Sequence, residues 1–429
     1  MIIQNFEKLA SSALRRQALQ IAEAGLSAIN TQKAFEKNFV YDAGRDRLAV
    51  LGKKYDLKKF NNIYCIAFGK AAFAGIASVS RILGDRLTSG FAIDVEANRP
   101  QIPNIIFRTG THPHPSEQNI KAAKELVEFA SQAKENDLVL CLISGGGSAL
   151  LCYPHSLDVL DQAAILKELM NAGADIFEMN CVRKHLSRVK GGQLAKIIYP
   201  AKLISLIFSD VPGDDLSTIA SGPTVKDETT VREASAILAK HRILEKLNLP
   251  SVKFVETPKD AKFFENTENI LFVSAKTALR AMKDKAEDLG FDVKIFSQHF
   301  QGEAEKLASE IIIANNQKHQ ALLGAGESTV VVKGNGVGGR NQHLALAALL
   351  SISENQVLIT LASDGHDNSE SAGAIVDSST LLRSKTLNLE PSIYLQNNDS
   401  FTFFEAVGDG IDTGLTGSNV ADLVISLRR

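Results

Sequence analysis

Along most of the chain, apolar runs of strand length alternate with amphipathic stretches of helix length. The runs that we predict as strands are NIYCIAF, LVLCLIS, KLISLIF, NILFVS, ALLG with TVVV, and VLITLAS. This alternation is typical of α/β domains with a largely parallel sheet. With 429 residues, 45% of them hydrophobic, the chain exceeds one ordinary domain. The sequence therefore predicts an α/β protein of two domains, with a Rossmann-like, largely parallel sheet in the first.

Two prolines, Pro250 and Pro258, interrupt the pattern near the middle of the chain, within NLPSVKFVETPKD. Proline is a strong breaker of regular structure, so this stretch indicates a domain boundary. We predict one domain over residues 1–245 and a second, smaller α/β domain over residues 260–429. The sequence leaves open whether the last segment packs back on the first domain.

Charge and cysteine content limit the classes of function. Lys and Arg number 47 against 49 Asp and Glu, which gives a net charge of -2. A binder of nucleic acid or of acidic membranes would show a basic bias, so we expect neither partner. Cys65, Cys141, Cys152 and Cys181 show no CxxC spacing, and we expect buried free thiols. No secretory leader and no apolar run of membrane-spanning length is evident, so we predict a cytoplasmic protein.

Polar and glycine residues follow the predicted strands, where open α/β sheets bind ligands. NIYCIAF leads into Gly69 and Lys70, and KLISLIF leads into Ser209 and Asp210. The other strands lead into SGGGS, into GAGE ending at Glu327, and into SDG containing Asp364. This recurrence predicts a ligand site built from several strand ends.

The loop SGGGS follows the apolar run LVLCLI and precedes helix-forming residues. Its members are Ser144, Gly145, Gly146, Gly147 and Ser148. Where a strand turns into a helix, unpaired N–H groups can bind an anion if no side chain obstructs them. We therefore interpret the loop as an anion cradle; the alternative is a tight turn packed on a neighbouring strand. It is not a Walker loop, because no GxxxxGK[ST] occurs in the chain. It is not the G-x-S-x-G elbow either, because Leu150 stands at the second glycine position.

Lysines and arginines near these loops are candidate anion ligands. Lys70 lies at a predicted helix start, where a cation opposes the helix dipole, and an anion between them would explain the placement. The segment from 180 to 198 carries Arg183, Lys184, Arg188 and Lys190 without an acid among them. It is either a second anion-binding element or an ordinary basic surface stripe.

Several carboxylates fall in glycine-bearing loops. They are Asp210, Asp214, Asp215, Glu327, Asp364 and Asp367. Isolated acids in loops often serve turn geometry. Acids beside phosphate cradles are also what Mg²⁺ requires, since it combines few protein oxygens with water and phosphates. The nine histidines show no ligand spacing, which gives zinc and iron little support.

A second glycine cluster, KGNGVGGRNQHLALA, contains G-x-G-x-x-G at Gly334, Gly336 and Gly339. It can be interpreted as a dinucleotide fingerprint, with Asp364 as the acid for the ribose. Arg340 directly after the last glycine argues against that interpretation. A cation near a helix start suits the stabilisation of charge on a transferring phosphate instead.

The ordered motifs resemble those of a known family. They are FGKAAFAGIA, GTHPHPSEQNIKAA, ISGGGSALL, NCVRKHLSRVKGGQLA, SDVPGDDLSTIASGPT, QGEAEKLA, GGRNQHLALA and TGLTGSNVADLVI. Together, from about Ile63 to Val424, they resemble the glycerate 2-kinase family, whose C-terminal half is the MOFRL domain. The resemblance implies transfer of the γ-phosphate of ATP to the 2-hydroxyl of D-glycerate, with Mg²⁺, in a cleft between two α/β domains. The sequence departs from the family motifs at Ala325, Asn368 and Leu415.

The resemblance also implies roles for individual residues. The family's essential lysine and arginine fall on Lys70 and Arg340, and two acidic motif positions fall on Asp210 and Asp364. From these and the loops above, we predict the following assignments. Lys70, Arg340, Asp364 and Asp210 are catalytic; Ser144, Gly145, Gly146, Gly147, Ser148, Lys190 and Asn341 bind ATP; and Asp210, Glu327 and Asp364 hold Mg²⁺.

Three other interpretations remain open at this stage. They are an NAD(P)H-dependent hydroxypyruvate reductase, a kinase for a related small hydroxy acid, and a non-catalytic sensor of phosphorylated metabolites. Each takes small molecules rather than a nucleic acid or a membrane. The sequence is compatible with a monomer or a homodimer.

Overall fold

The computed structural model of the chain describes residues 1–95 and 100–429. Within these ranges the strands are β1 Phe39–Asp42, β2 Arg47–Val50, β3 Lys53–Asp56, β4 Ile63–Phe68, β5 Ser89–Asp94, β6 Ile105–Thr109, β7 Leu138–Ile143, β8 Lys202–Phe208, β9 Thr267–Val273, β10 Asp292–Glu303, β11 Gln320–Thr329, β12 Gln356–Ala362, β13 Gly373–Asp377, β14 Gly410–Ile411 and β15 Asp422–Arg428. The helices are α1 Phe6–Leu9, α2 Ala13–Ile29, α3 Thr31–Asn38, α4 Ala72–Leu83, α5 Glu117–Ala130, α6 Gly147–Leu150, α7 Val159–Asn171, α8 Ile176–His185, α9 Gln193–Ile198, α10 Val231–Lys240, α11 Ile243–Lys246, α12 Lys262–Glu265, α13 Ala275–Asp288, α14 Ala304–Ala314, α15 Arg340–Leu349, α16 Ser378–Thr386, α17 Pro391–Gln396 and α18 Ser400–Val407.

The chain divides into two compact units. The central unit comprises Ala34–Phe272, and the terminal unit combines Met1–Lys33 with Val273–Arg429. The predicted α/β class with two domains is confirmed. The units differ from the predicted ranges 1–245 and 260–429, because α2 packs on α13 and on strands β12 and β15 of the terminal unit. The last strand also belongs to the terminal unit, where β15 pairs with β11 and β12.

The central unit contains a sheet whose strands lie in the order β6, β5, β4, β7, β8, β9. The pairs from β6 through β8 are parallel. Every residue of β7 is buried, as expected for a parallel strand covered on both faces. The predicted runs form β4, β7, β8 and β9, whereas the sequence analysis missed β5 and β6. A small antiparallel sheet of β1, β2 and β3 completes the strands of this unit within the described ranges.

The sheet of the terminal unit is mixed, with the order β10, β11, β15, β12, β13, β14. Strands β10 and β11 are parallel, while β15 runs antiparallel to both β11 and β12. Asp422, the first residue of β15, pairs in register with Gly326 on one side and Ala362 on the other. The start of β15 therefore lies at the same sheet edge as the ends of β11 and β12.

Two expectations about the chain's surroundings can be compared with the structure. All four cysteines are buried and free, as predicted. Within residues 1–95 and 100–429, no helix has both the length and the apolar character needed to span a membrane.

A buried arginine anchors the N-terminal helix α2 in the terminal unit. The Arg15 side chain is fully buried. Its guanidinium donates to Asp409 Oδ1 at 2.5 Å, to Asp377 Oδ1 at 3.2 Å and to the Leu9 carbonyl at 2.8 Å. Removing one partner of a buried ion pair leaves the other charge unpaired in a medium of low polarity. These contacts explain why residues far apart in sequence fold as one unit.

We expect Arg15→Met to lower the free energy of unfolding by about 1–3 kcal/mol, because Asp377 and the Leu9 carbonyl would lose a buried donor, whereas Asp409 would keep its ion pair with Arg383. The matched control is Arg16→Met, which removes an exposed ion pair with Glu7 and a contact with the Phe6 ring, and which should lower the free energy of unfolding much less. Urea titrations followed by circular dichroism measure both values. Equal losses in the two variants would contradict the anchoring role of Arg15.

Candidate functional site

In the central unit, the loops that follow β4, β7 and β8 meet at the carboxyl edge of the parallel sheet. The Lys70 N–H donates to the Gly145 carbonyl at 2.9 Å, and the Ala71 N–H donates to Ser144 Oγ at 3.1 Å. A side chain added at Gly145 would fall on the Asp210 carboxylate. The structure thus brings together four of the predicted site residues: Lys70, Ser144, Gly145 and Asp210.

Two glycines are required by the close approach of these loops. Gly69 has φ of +117°, a conformation that side chains disfavour, and an added Cβ would overlap Ser144. At Gly145 the obstruction would be the Asp210 carboxylate instead. Bare backbone is therefore needed where the β4, β7 and β8 loops touch.

The SGGGS loop exposes backbone donors. The N–H groups of Gly145 and Gly146 have no hydrogen-bond partner within the described ranges. The helix that follows, α6, is only four residues long, so the donors belong to the loop rather than to a long helix. Unpaired amides of this kind can bind an anion without help from a helix dipole.

The helix after Lys70, α4, already has an acid at its start. The Phe73 N–H donates to Asp94 Oδ2 at 3.0 Å, and Asp94 is buried at the end of β5. A carboxylate at this position offsets the positive end of the helix. Asp94 therefore fills the anion position that the sequence predicted there. The sequence analysis missed it because β5 was not recognised as a strand.

Lys70 itself is exposed, and its ammonium has no hydrogen-bond or ion-pair partner among residues 1–95 and 100–429. Its side chain lies beside Gly146, where His112 is also close. Burial and the Lys70 charge lower the pKa of His112, so the imidazole tends to be neutral. An unpaired cation beside unpaired amides can bind an anion such as a phosphate.

Lys190 lies beneath the SGGGS loop. Its Nζ donates to the carbonyls of Ser148 at 2.7 Å and Leu151 at 3.0 Å, and the side chain is buried. Burial lowers the pKa of Lys190 to about 7. A neutral amine still has a hydrogen for each carbonyl. The sequence predicted Lys190 as an ATP-binding residue, but its contacts suit a role in supporting the loop.

In the terminal unit, a cavity of about 420 Å³ lies at the sheet edge where β11, β12 and β15 meet. Its walls include Gly339, Arg340, Asp364, Asn368 and Asn419. This volume lies within the usual range for small-molecule sites. Of the predicted residues, the structure therefore places Arg340 and Asp364 on one cavity.

Two carboxylates orient Arg340. Its Nε donates to Asp422 Oδ2 at 2.6 Å and its Nη2 to Asp422 Oδ1 at 3.1 Å, while Nη1 pairs with Glu327. Burial opposes the charge of Arg340, but Asp422 and Glu327 outweigh it and raise the Arg340 pKa. Burial raises the pKa of Asp422 to about 6, although Arg340 lowers it. The bidentate pair holds the guanidinium in one orientation.

Asp367 occupies the start of helix α15. Its carboxylate accepts from the N–H groups of Asn341 at 3.1 Å and Gln342 at 2.7 Å. Burial raises the pKa of Asp367, although these hydrogen bonds lower it. A dinucleotide fingerprint would need the same N–H groups for its pyrophosphate. The structure therefore disfavours that interpretation of Gly334, Gly336 and Gly339.

Asn341, predicted to bind ATP, is 1% exposed, and its amide donates to Asp367 Oδ1 at 3.2 Å. The Asn341 side chain is therefore buried against Asp367 and does not lie on an open surface. The chain offers a different surface for ligands, formed by Arg340 and Asp364.

The predicted magnesium ligands differ in how well they suit a metal ion. Within residues 1–95 and 100–429, the Asp364 carboxylate accepts one hydrogen bond, at Oδ1 from the His366 N–H at 3.1 Å, so its oxygens can still bind a metal ion. Glu327 instead pairs with Arg340. In the part of the chain that the structure describes, no group of three or more His, Cys, Asp or Glu side chains is placed to hold a metal. Mg²⁺ commonly binds through one or two carboxylates with phosphates and water, which Asp364 can provide.

Comparison with known proteins places this arrangement in a family. A model described as a domain of unknown function (DUF4147) matches residues 17–256, and the MOFRL family model matches residues 320–422. A D-glycerate 2-kinase from Thermotoga maritima is 33% identical over 432 residues, covering 97% of this chain and 98% of that protein. The chain belongs to the glycerate 2-kinase family.

A crystal structure of glycerate kinase from Thermotoga maritima supports the same assignment. It matches with a TM-score of 0.85 at 32% identity, covering 97% of this chain and 100% of that one. A relative from Agrobacterium vitis, provisionally named a hydroxypyruvate reductase, is 38% identical over 376 residues, covering 83% of this chain and 85% of that protein. The resemblance predicted from the motifs is confirmed.

The structure explains one departure from the motifs of the glycerate 2-kinase family. Asn368 replaces a glycine, and its φ is +51°. Asparagine tolerates this left-handed conformation better than most residues, and its amide donates to the Gly338 carbonyl at 3.0 Å. Leu415 is 80% exposed and Ala325 is buried within β11. Nothing in the structure explains the choice of leucine at position 415.

Sequence reasoning missed several polar residues of this family member. Asp422 was quoted within TGLTGSNVADLVI but not singled out, and its signal is an acid at the start of an apolar run. Ser221 was quoted within ASGPT; it bonds Asn180 Oδ1 at 3.0 Å and lies 3.3 Å from Ser148 Oγ. His112 and Asn180 also lie in motifs that were quoted. Their positions depend on long-range packing that a motif does not state.

The pKa of Lys190 predicts a pH dependence of stability. Because the folded pKa is about 7 and the ordinary value is 10.5, the unfolded chain binds more protons between these values. The free energy of unfolding should therefore gain a positive slope with pH in this window, at most about 1.4 kcal/mol per unit. Lys190→Met should remove that contribution, as measured by urea titrations at several pH values.

The control for this prediction is Lys196→Met, which changes an exposed lysine of the same segment. Its profile should keep the wild-type slope. If Lys190→Met retained that slope as well, the lowered pKa of Lys190 would be refuted.

Proposed function

We propose that the chain transfers the γ-phosphate of ATP to the 2-hydroxyl of D-glycerate, giving 2-phosphoglycerate and ADP. The observation that carries the proposal is that the Lys70 ammonium lies beside the N–H groups of Gly145 and Gly146, and that none of these groups has a partner among residues 1–95 and 100–429. Relatives that share the chain's full length are named for this activity.

Phosphoryl transfer depends on positioning and on positive charge more than on covalent chemistry. In this proposal the amides of the SGGGS loop and Lys70 bind phosphate oxygens. Lys190 holds the carbonyls of Ser148 and Leu151, so the loop keeps its shape when charge moves. Donors that are already oriented need no rearrangement during the reaction.

Arg340 stabilises the charge of the transferring phosphoryl group. Its pair with Asp422 fixes the guanidinium plane, and its remaining N–H groups line the cavity. The hydroxyl oxygen of glycerate forms a bond to the γ-phosphorus, and the bond to the β–γ bridging oxygen breaks with its electron pair. The hydroxyl proton passes to the carboxylate of Asp364, the acid of this cavity that lacks a cationic partner in the described ranges.

Mg²⁺ belongs to the proposal as well. Asp364 or Asp210 would hold it with phosphate oxygens and water, and it would neutralise phosphate charge. Glu327 fits this role less well than the sequence suggested, because its carboxylate faces Arg340.

A coupled assay separates the proposed function from the reductase alternative. The purified chain should consume D-glycerate only with ATP and a divalent cation, and phosphorus NMR should identify the 2-phosphate. Oxidation of NADPH with hydroxypyruvate, without ATP-dependent turnover, would overturn the proposal in favour of a reductase.

We expect Lys70→Ala and Arg340→Ala each to lower kcat by about 10²-fold or more, because each removes positive charge from the transferring group. Steady-state kinetics with ATP and D-glycerate measure the loss, and thermal melting checks the fold. Lys124→Ala and Arg280→Ala, which change exposed residues of the two units, are the controls. Near-normal turnover in either site variant would exclude its proposed role.

A further inference from the structure

Arg183, in the last turn of α8, is a cation without an acidic partner in the part of the chain that the structure describes. Its Nη1 donates to Asn180 Oδ1 at 3.0 Å, and no carboxylate pairs with it within the described ranges. The other cations of this segment are satisfied: Lys184 pairs with Asp227 at 3.0 Å, and Arg188 donates to the His155 carbonyl. Burial lowers the pKa of Arg183 and so opposes its charge.

The Arg183 guanidinium keeps its charge when it is buried, whereas the Lys190 ammonium can lose a proton and become neutral. Burying an unpaired charge costs free energy, and an anion that binds it offsets that cost. Among the described residues, one N–H group of Arg183 has a protein acceptor, so the rest of its planar fork is available to a ligand. This geometry matches a carboxylate, which accepts two parallel hydrogen bonds.

Hydrogen bonds connect Arg183 to the SGGGS loop. Asn180 Oδ1, which accepts from Arg183, also accepts from Ser221 Oγ at 3.0 Å. Ser221 Oγ in turn lies 3.3 Å from Ser148 Oγ. The chain therefore places the guanidinium within a short polar network of the loop that carries the unpaired amides.

The turn that supplies Ser221 is strained. Ala220 and Ser221 have φ of +50° and +62°, a conformation that costs free energy for residues with a side chain. Strain of this kind persists only where surrounding contacts enforce it, and it is frequent at ligand sites. Two consecutive strained residues hold Ser221 between Asn180 and Ser148.

We propose that Arg183, which the Asn180, Ser221 and Ser148 network connects to the SGGGS loop, binds the carboxylate of the small hydroxy acid that accepts the phosphate. This inference rests on the proposed function and assigns its acceptor subsite. Lys70 and the amides of Gly145 and Gly146 remain for the phosphates of the donor. The positive charge of Arg183 thus neutralises the single negative charge of the acceptor's carboxylate.

The test compares D-glycerate with its uncharged amide, glyceramide, in the wild type and in Arg183→Met. The wild type should prefer glycerate in kcat/KM. The variant should raise the KM for glycerate by about 10- to 100-fold, leave the KM for ATP within about 3-fold, and lose the preference over the amide. Arg183→Lys should recover part of the preference, and it serves in place of Arg183→Met if that variant does not fold.

Arg188→Met is the matched control, since it removes an exposed guanidinium from the same segment, and it should behave as the wild type. A raised KM for ATP in Arg183→Met, or equal losses for glycerate and glyceramide, would overturn the subsite. Calorimetry of D-glycerate binding tests the subsite without turnover. If the wild type binds glycerate but does not phosphorylate it, the proposed function fails. In that case weaker binding of D-glycerate by Arg183→Met upholds the subsite, and unchanged binding overturns it. A wild type that does not bind D-glycerate at all also overturns the subsite.

Discussion

Parallel pairing of β4, β7 and β8 is the constraint on which the site of the central unit depends. Parallel strands direct their carboxyl ends to one edge of the sheet, and strands covered on both faces consist mostly of apolar residues. Polar chemistry is therefore confined to the residues that follow each strand. Lys70, Ser144 and Asp210, distant in sequence, gather because each comes directly after such a strand.

The terminal unit reaches a similar result by a different route. Strand β15 lies antiparallel between β11 and β12, so its first residue, Asp422, faces the ends of both neighbours. Burial makes this carboxylate costly, and its bidentate pair with Arg340 offsets part of the cost. The same pair fixes the orientation of the guanidinium. One ion pair thus both stabilises the buried Asp422 carboxylate and positions the Arg340 guanidinium.

Hydrophobic runs and turn residues in the sequence predicted the elements whose formation depends on neighbouring residues. The buried strands of the central sheet and the glycine loops after them follow from apolar runs and turn residues. The position of β15 and the packing of α2 on α13 depend on contacts between residues far apart in the sequence, which periodicity does not encode. The same limit applies to side chains: Asp94, Asp422 and Ser221 gain their roles from neighbours in space. Lys190 was expected to face a ligand, but its ammonium bonds loop carbonyls, because the side chain lies beneath the loop.

The basic segment from 180 to 198 shows why a run of charges does not define a role. Lys184 is buried against Asp227, whereas Arg188 is exposed and lies over the Tyr153 ring. Lys190 can give up its proton near neutral pH and keep its hydrogen bonds to two carbonyls. Arginine lacks that option, because its guanidinium stays protonated in proteins. Lysine and arginine are therefore not equivalent at position 183. A lysine there could become neutral, whereas Arg183 keeps a charge that a bound carboxylate can neutralise.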